Sequence, residues 1–320
     1  MSAVGKSMTR ERVYINDVSP RDGLQIEDVF VATQDKIALI DALSHAGFAK
    51  IEATSFVSPK AIPALADAEA VMAGIERVSG VEYVALVPNI RGMERALACD
   101  VDEMNLVMSV SETHNLANLR MGREDSFAQL AQVIRALEGT GARRNVSLST
   151  TFGCPMEGEI DEEEVFRWVA RFVDLGVEGI TLCDTTGMAW PTQVERLCAR
   201  FLDRHADTQL TLHVHNTRGM GLANVASALR AGVRRFDASL GGLGGCPYAP
   251  GATGNVCSEE LVHMLELMGW DTGVDLSRAL AASAGLPALI GHDVPSQLLK
   301  AGPVSRIHPP PDWVAQLRGG

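Results

Sequence analysis

The sequence predicts a (β/α)8 TIM barrel with a short C-terminal extension. Eight short apolar runs rich in β-branched residues recur along its 320 residues, segments of helical periodicity separate most of them, and the runs end in polar residues. Alternating strands and helices imply parallel strands joined by right-handed crossovers. Eight such units match a closed barrel, which takes roughly 250 residues. We place the barrel at residues 13–304, after an N-terminal segment 1–12 and before an irregular tail 305–320. An open doubly wound sheet is the alternative, but no G-x-G-x-x-G follows the first run.

The expected strands, in order, are VYINDV (13–18), KIEATSF (50–56), YVALVP (83–88) and EMNLVMS (103–109), then VSLSTTF (146–152), GITLCDT (179–185), LTLHVHN (210–216) and RFDASLG (235–241). The spacing predicts helices over ATQDKIALIDALSHAG (32–47) and EEEVFRWVARFVDLG (162–176). Helical segments finish at Gly47, Gly176 and Gly232, as a left-handed cap favours. Three consecutive prolines, 309–311, cannot continue a helix and make the tail irregular.

Composition narrows the function classes. A net charge of −12 argues against general affinity for nucleic acid or anionic membranes, which need basic patches. The N-terminus lacks the apolar core of a secretory signal, and no run of eighteen apolar residues is present, so a cytoplasmic enzyme-sized domain is expected. The six cysteines show no C-x-x-C pair and read as reduced thiols.

In such barrels function sits at the carboxyl ends of the strands. Those ends read SPRD (19–22), Glu52 with Thr54 and Ser55, Pro88-Asn89, Ser109 to Glu112, Asp184-Thr185 and His213-x-His215. Residues i and i+2 of a strand share a face, so His213 and His215 point the same way. Barrel closure makes strands seven, eight and one neighbours, which brings Asp22 and the loop after strand eight to the two imidazoles. Two imidazoles, a carboxylate and an amide oxygen from that loop suit a divalent cation such as Mg2+, Mn2+ or Zn2+. That loop, GGLGGCPYAPGATGN (241–255), holds six glycines, which allow close backbone approach to a ligand, and centres on Cys246. It is expected to act as a mobile lid. A thiol held near positive charge is an acid–base candidate.

VSPRDGLQ (18–25), IEATSFVSPK (51–60), the H-x-H strand and the 241–255 loop together resemble the 3-hydroxy-3-methylglutaryl-coenzyme A lyase family of DRE-TIM metallolyases. The resemblance spans residues 13 to about 305. It implies cleavage of a 3-hydroxy-3-methylglutaryl thioester into acetyl-coenzyme A and acetoacetate, with Mg2+ or Mn2+ as cofactor and an acyl-coenzyme A as the partner molecule. It also implies Asp22, His213, His215 and Asn255 as metal ligands. Arg21, Glu52, Asp184, His213 and Cys246 are then the catalytic candidates, and Arg21, Gln25, Asn216 and Arg218 the substrate-binding ones. A homo-oligomer is compatible with the sequence. Lys60, Arg91 and Lys300 are candidates to meet coenzyme A phosphates.

Three departures from the family pattern fall around the substrate. The H-x-H-D-T-Y-G segment is HVHNTRG here, with Asn216 and Arg218; Asn145, Val146 and Ser147 stand where Arg-Gly-Tyr is usual; Cys183 replaces a glycine. They leave every expected metal ligand in place but bear on the acyl group, so citramalyl-coenzyme A is an alternative substrate. A Claisen-condensing synthase of the same superfamily would carry a regulatory extension. A binding-only barrel would have lost some of Arg21, Asp22, His213, His215, Asn255 and Cys246.

Overall fold

A computed structural model describes residues 10–245 and 254–311, with residues 313, 314 and 317. Eight parallel strands close into a barrel in sequence order: β1 (Tyr14–Asp17), β2 (Lys50–Ser55), β3 (Glu82–Leu86), β4 (Glu103–Ser109), β5 (Arg143–Ser149), β6 (Gly179–Asp184), β7 (Gln209–Val214) and β8 (Arg235–Ala238). Closure pairs Asn16 with Asp237 across β1 and β8, and His213 with Asp237 across β7 and β8.

Around it pack α1 (Thr33–Ala46), α2 (Ala68–Gly74), α3 (Ile90–Leu97), α4 (Glu112–Leu119), α5 (Arg123–Ala136), α6 (Glu162–Val173), α7 (Pro191–Arg204), α8 (Gly221–Ala231), α9 (Ser258–Leu267), α10 (Leu276–Ile290) and α11 (Gln297–Ala301). α6 shows why these segments are helical. Asp161 caps it by accepting from Glu163 N at 3.1 Å, three glutamates complement the dipole of its first turn, and Val165, Phe166, Trp168, Val169 and Phe172 form its buried stripe. Each such side chain, fully buried, contributes roughly 1.5–3 kcal/mol. α1 stops at Gly47, whose φ of 91° and closeness to Gly273 O exclude a Cβ.

Alternation along the strands splits the barrel into two environments. Outward residues such as Ile51, Ala53, Met104, Leu106, Val146, Leu148, Ile180, Leu182, Leu212 and Phe236 form the hydrophobic core beneath the helices. Inward residues are mostly polar. At the floor Lys50 contacts Glu103, reaches Glu82 at 3.1 Å and donates to Gln209 at 3.3 Å. One layer higher, Asn145 donates to Asn105 (3.0 Å) and Thr181 (2.9 Å), and Ser147 donates to Asn105 (2.8 Å). A cavity with room for roughly one water, ≈ 30 Å³, lies among these groups.

The expected fifth strand, 146–152, is displaced toward the N-terminus, to Arg143–Ser149. Arg143 and Arg144 carry no apolar signal, yet they pair with Glu82 and Glu178 at the barrel's lower rim. The chain leaves the sheet at Thr150, whose φ is 57°. The eighth strand ends at Ala238, three residues earlier than its pattern, in a 3-10 turn Leu240–Gly242. Beyond α11, residues 306–311 are irregular, while the described residues 313, 314 and 317 are helical.

Candidate active site

The end of β1 turns immediately into a π-helical turn, Ser19–Gly23, that carries Arg21 and Asp22 into the barrel mouth. β7 delivers His213 at its end and His215 just beyond it. The segment after β8 returns to β7 through an antiparallel bridge between His215 and Asn255, supported by Val256 N donating to Val214 O (3.1 Å). Two glycines permit this closeness. A Cβ on Gly254 would lie 2.1 Å from Gly242 O, and one on Gly244, at φ 102°, would lie 2.5 Å from Asn255 Nδ2.

The four residues expected as metal ligands are therefore together. Asp22, His213 and His215 each present a ligand atom within 4.8 Å of the others. Asn255 Nδ2 donates to Asp22 Oδ2 at 2.8 Å and to Leu243 O at 2.9 Å, which leaves its Oδ1 turned the other way. That Oδ1 and His215 Nδ1 are buried with no hydrogen-bond partner among the described residues. An orphaned buried polar atom costs about 1–3 kcal/mol, and a bound cation would satisfy both. Protonation states agree with a donor set. Burial and the neighbouring His213 push His215 down to about 3, so its imidazole is neutral. Burial opposes the charge of Asp22, but Arg21 and the two histidines outweigh it and hold the carboxyl below its usual value.

The catalytic candidates surround this set. Arg21 donates to Asp22 Oδ1 at 2.8 Å and pairs with Glu52 Oε2 at 2.6 Å, while its Nε is buried without a partner among the described residues. Asn105 Nδ2 donates to the other Glu52 oxygen at 2.9 Å. Burial raises the Glu52 carboxyl above its usual range despite Arg21. Asp184 Oδ1 accepts from Met188 N (2.7 Å) and Ala189 N (3.0 Å), and its Oδ2 is buried and unpartnered among the described residues. Burial lifts this carboxyl from 3.8 to about 6, against those two bonds and the charges of His213 and Arg218.

Of the remaining candidates, Asn216 accepts from Gly221 N at 3.0 Å. The exposed Arg218 donates to the carbonyls of Thr186 (3.1 Å) and Gly187 (2.7 Å), so both side chains hold rim loops. Gln25 is half-buried in the 3-10 turn Leu24–Ile26. Lys60, Arg91 and Lys300 are exposed. Cys246 and the expected lid around it lie outside the described residues.

Asp237 is a site residue the sequence reading missed. Its Oδ2 lies 3.3 Å from His213 Nδ1 and its Oδ1 accepts from Asn16 Nδ2 at 2.8 Å, so it orients the imidazole with Nε2 toward Asp22 and His215. Its signal was available: a carboxylate in the short run RFDA, on the strand adjoining His213. Cys183, paired in register with His213, also borders the site, and burial pushes its thiol well up.

A closed (β/α)8 barrel with a buried N/N/O set at the carboxyl ends of its strands that could hold a metal ion defines the class: a barrel enzyme. The chain belongs to the HMGL-like family, whose model matches residues 12–285. It is 53% identical to an HMG-CoA lyase from Acinetobacter baumannii solved with coenzyme A and 3-methylmalate, covering 94% of this chain and 98% of that one with a TM-score of 0.91. The hydroxymethylglutaryl-CoA lyase of Bacillus subtilis is 45% identical over 91% of this chain and 97% of its own length. The (R)-citramalyl-CoA lyase of Chloroflexus aurantiacus is 41% identical over 92% and 96%.

Proposed function

We propose that this protein is a metal-dependent carbon–carbon lyase that cleaves 3-hydroxy-3-methylglutaryl-CoA to acetyl-CoA and acetoacetate. The observation that carries the reading is the convergence of Asp22, His213, His215 and the unpartnered Asn255 Oδ1 at one corner of the mouth. These four would hold Mg2+ or Mn2+, which, when bound, lowers the pKa of a chelated hydroxyl and fixes the substrate's orientation.

The chain's own groups divide the remaining work. His213 gives one nitrogen to Asp237 and the other to the donor set, so the base that takes the C3 hydroxyl proton is a carboxylate. Asp184 fits, with a free Oδ2 and a pKa of about 6. The C2–C3 pair of electrons passes to the thioester as an enolate while C3 becomes the ketone of acetoacetate. Arg21, held between Asp22 and Glu52, neutralises the charge growing on the thioester oxygen; a placed donor of this kind is worth about 3–4 kcal/mol. Glu52 is committed at both oxygens and serves to aim Arg21. Cys246 then protonates the enolate carbon at C2 to give acetyl-CoA. Asn216, Arg218 and Gln25 border the substrate at the rim.

A second reading is cleavage of citramalyl-CoA, favoured by Asn216, Arg218, Ser147 and Cys183 standing where the family pattern differs. The test is metal-dependent release of acetyl-CoA from each thioester with no added acceptor. The proposal expects a higher kcat/KM for the hydroxymethylglutaryl thioester. Cleavage of citramalyl-CoA alone would install the second reading, and a requirement for a ketoacid acceptor would reassign the enzyme as a synthase.

A further inference from the structure

We propose that Asp17 is a positioning residue that locks the Arg21–Asp22 turn to both roots of the glycine-rich segment, and thereby sets the geometry of the metal donor set. Asp17 ends β1 and has no solvent exposure. Its Oδ1 accepts from Ser19 N (2.8 Å) and Ser19 Oγ (2.5 Å). Its Oδ2 accepts from Leu240 N (3.1 Å) and Ser258 Oγ (2.6 Å). Ser19 opens the turn that carries Arg21 and Asp22, Leu240 lies where the chain leaves β8, and Ser258 lies where it returns into α9. One carboxylate thus gathers four hydrogen bonds from three separate segments.

A carboxylate, ionised at neutral pH, suits this position. It is acceptor-only at two oxygens, whereas an amide would turn two hydrogens toward existing donors. The roots are also tied to each other, with Ser258 N donating to Ser239 O (2.9 Å) and Ser239 N to Val256 O (3.0 Å). Asn255 on the returning root and Asp22 on the turn meet at 2.8 Å. A shift of either segment against the other would therefore separate two of the four donors, although Asp17 touches neither substrate nor metal. Glu259, another buried carboxylate, accepts from Gly241 N (3.1 Å) and Ser283 Oγ (2.6 Å). Sitting in α9, it ties the outgoing root to α9 and α10 without bonding the Ser19–Gly23 turn, and so supplies a structural control.

The inference rests on the donor set being a metal site, so the readout is Mn2+ affinity by titration calorimetry on the metal-stripped full-length protein, alongside melting temperature. Loss of an outer partner of a metal ligand typically costs 10–100-fold in affinity. Asp17→Asn should weaken Mn2+ binding by that factor, and Glu259→Gln should lower the melting temperature with Mn2+ affinity within about threefold of wild type. Should Asp17→Asn fail to fold, the double variant Ser19→Ala/Ser258→Ala removes two of the four donors, keeps the carboxylate, and should still bind Mn2+ more weakly by about fivefold or more. Wild-type affinity in either folded variant overturns the inference, as does an equal loss in Glu259→Gln. A wild-type protein that binds no Mn2+ overturns the metal-site reading itself.

Discussion

The floor of the barrel and the corner of its mouth between β7, β8 and β1 are both buried and polar, yet they are built on opposite terms. At the floor the polar groups largely satisfy one another: Lys50 meets Glu82, Glu103 and Gln209, Asn105 is bonded by both Asn145 and Ser147, and Glu82 Oε2, without a hydrogen bond among the described residues, still ion-pairs with Lys50 at 3.1 Å. At the mouth Arg21 Nε, Asp184 Oδ2, His215 Nδ1 and Asn255 Oδ1 have no partner among the described residues. A folded protein leaves buried polar atoms unpaired only at a cost. The difference marks the floor as scaffold and the mouth as a surface shaped for something else to complete.

Substitutions sharpen that contrast. The largest effect is expected at the mouth: His213→Ala and Asp22→Ala should each abolish detectable cleavage in a protein whose circular dichroism is unchanged. Residual activity within tenfold of wild type in either would dissolve the special status of the corner. Cys246→Ser comes next, with a loss of roughly 10²–10⁴ in kcat and unchanged Mn2+ affinity, as for a proton donor. Alkylation mapped by mass spectrometry should fall on Cys246 before Cys183 and Cys198. Burial pushes the Cys183 thiol well up and that of Cys198 to about 12.

The floor should answer in stability. Lys50→Met leaves the buried Glu103 with only the distant Arg143, at 3.9 Å, as a cation and should cost about 3 kcal/mol in denaturant unfolding. Activity per folded molecule should stay within about threefold of wild type, because Lys50 bonds Glu82, Glu103 and Gln209 and none of the site residues at the mouth. A fall in kcat as deep as that of a mouth variant would erase the boundary between the two regions.

Asp17 allows a test by pH. Burial lifts its carboxyl from 3.8 to about 6, outweighing its serine hydrogen bonds, with Glu259 the charged neighbour that raises it further. A raised folded pKa means the native state binds more protons than the unfolded chain between those values. The stability it contributes is therefore full below about 4 and lost as pH rises through about 6. Asp17→Asn cannot titrate, so the stability advantage of wild type over the variant should shrink by roughly 2 kcal/mol between pH 4 and 7. A constant gap would contradict the burial argument.

The smallest effect is expected at the rim. Reverting Asn216 to Asp and Arg218 to Tyr should change the kcat/KM ratio between hydroxymethylglutaryl-CoA and citramalyl-CoA by a few-fold, on the order of 1 kcal/mol. An unchanged ratio would confine both residues to holding their loops.

Most of the fold was legible because outward strand residues such as Ile51, Leu106, Leu182 and Leu212 announce strands by alternation, and helices end on glycines such as Gly47 and Gly232. What stayed hidden was built from polar residues. Arg143 and Arg144 belong to β5 through ion pairs, which hydropathy does not register, so that strand was expected three residues late. At the site, the two imidazoles followed from the period of a strand, and the meeting with Asp22 and Asn255 followed from barrel closure. Asp237 and Asp17 escaped because each acts through a partner brought close by register: Asp237 through His213, Asp17 through Ser19, Leu240 and Ser258.

The central claim is that the unpartnered atoms at the mouth are completed by a divalent cation required for carbon–carbon cleavage. The most direct test titrates Mn2+ into exhaustively stripped protein while following both bound metal and acetyl-CoA released from 3-hydroxy-3-methylglutaryl-CoA. The account predicts an inactive stripped enzyme whose cleavage returns in proportion to occupancy and saturates at one ion per chain. Undiminished cleavage in the stripped protein would contradict it.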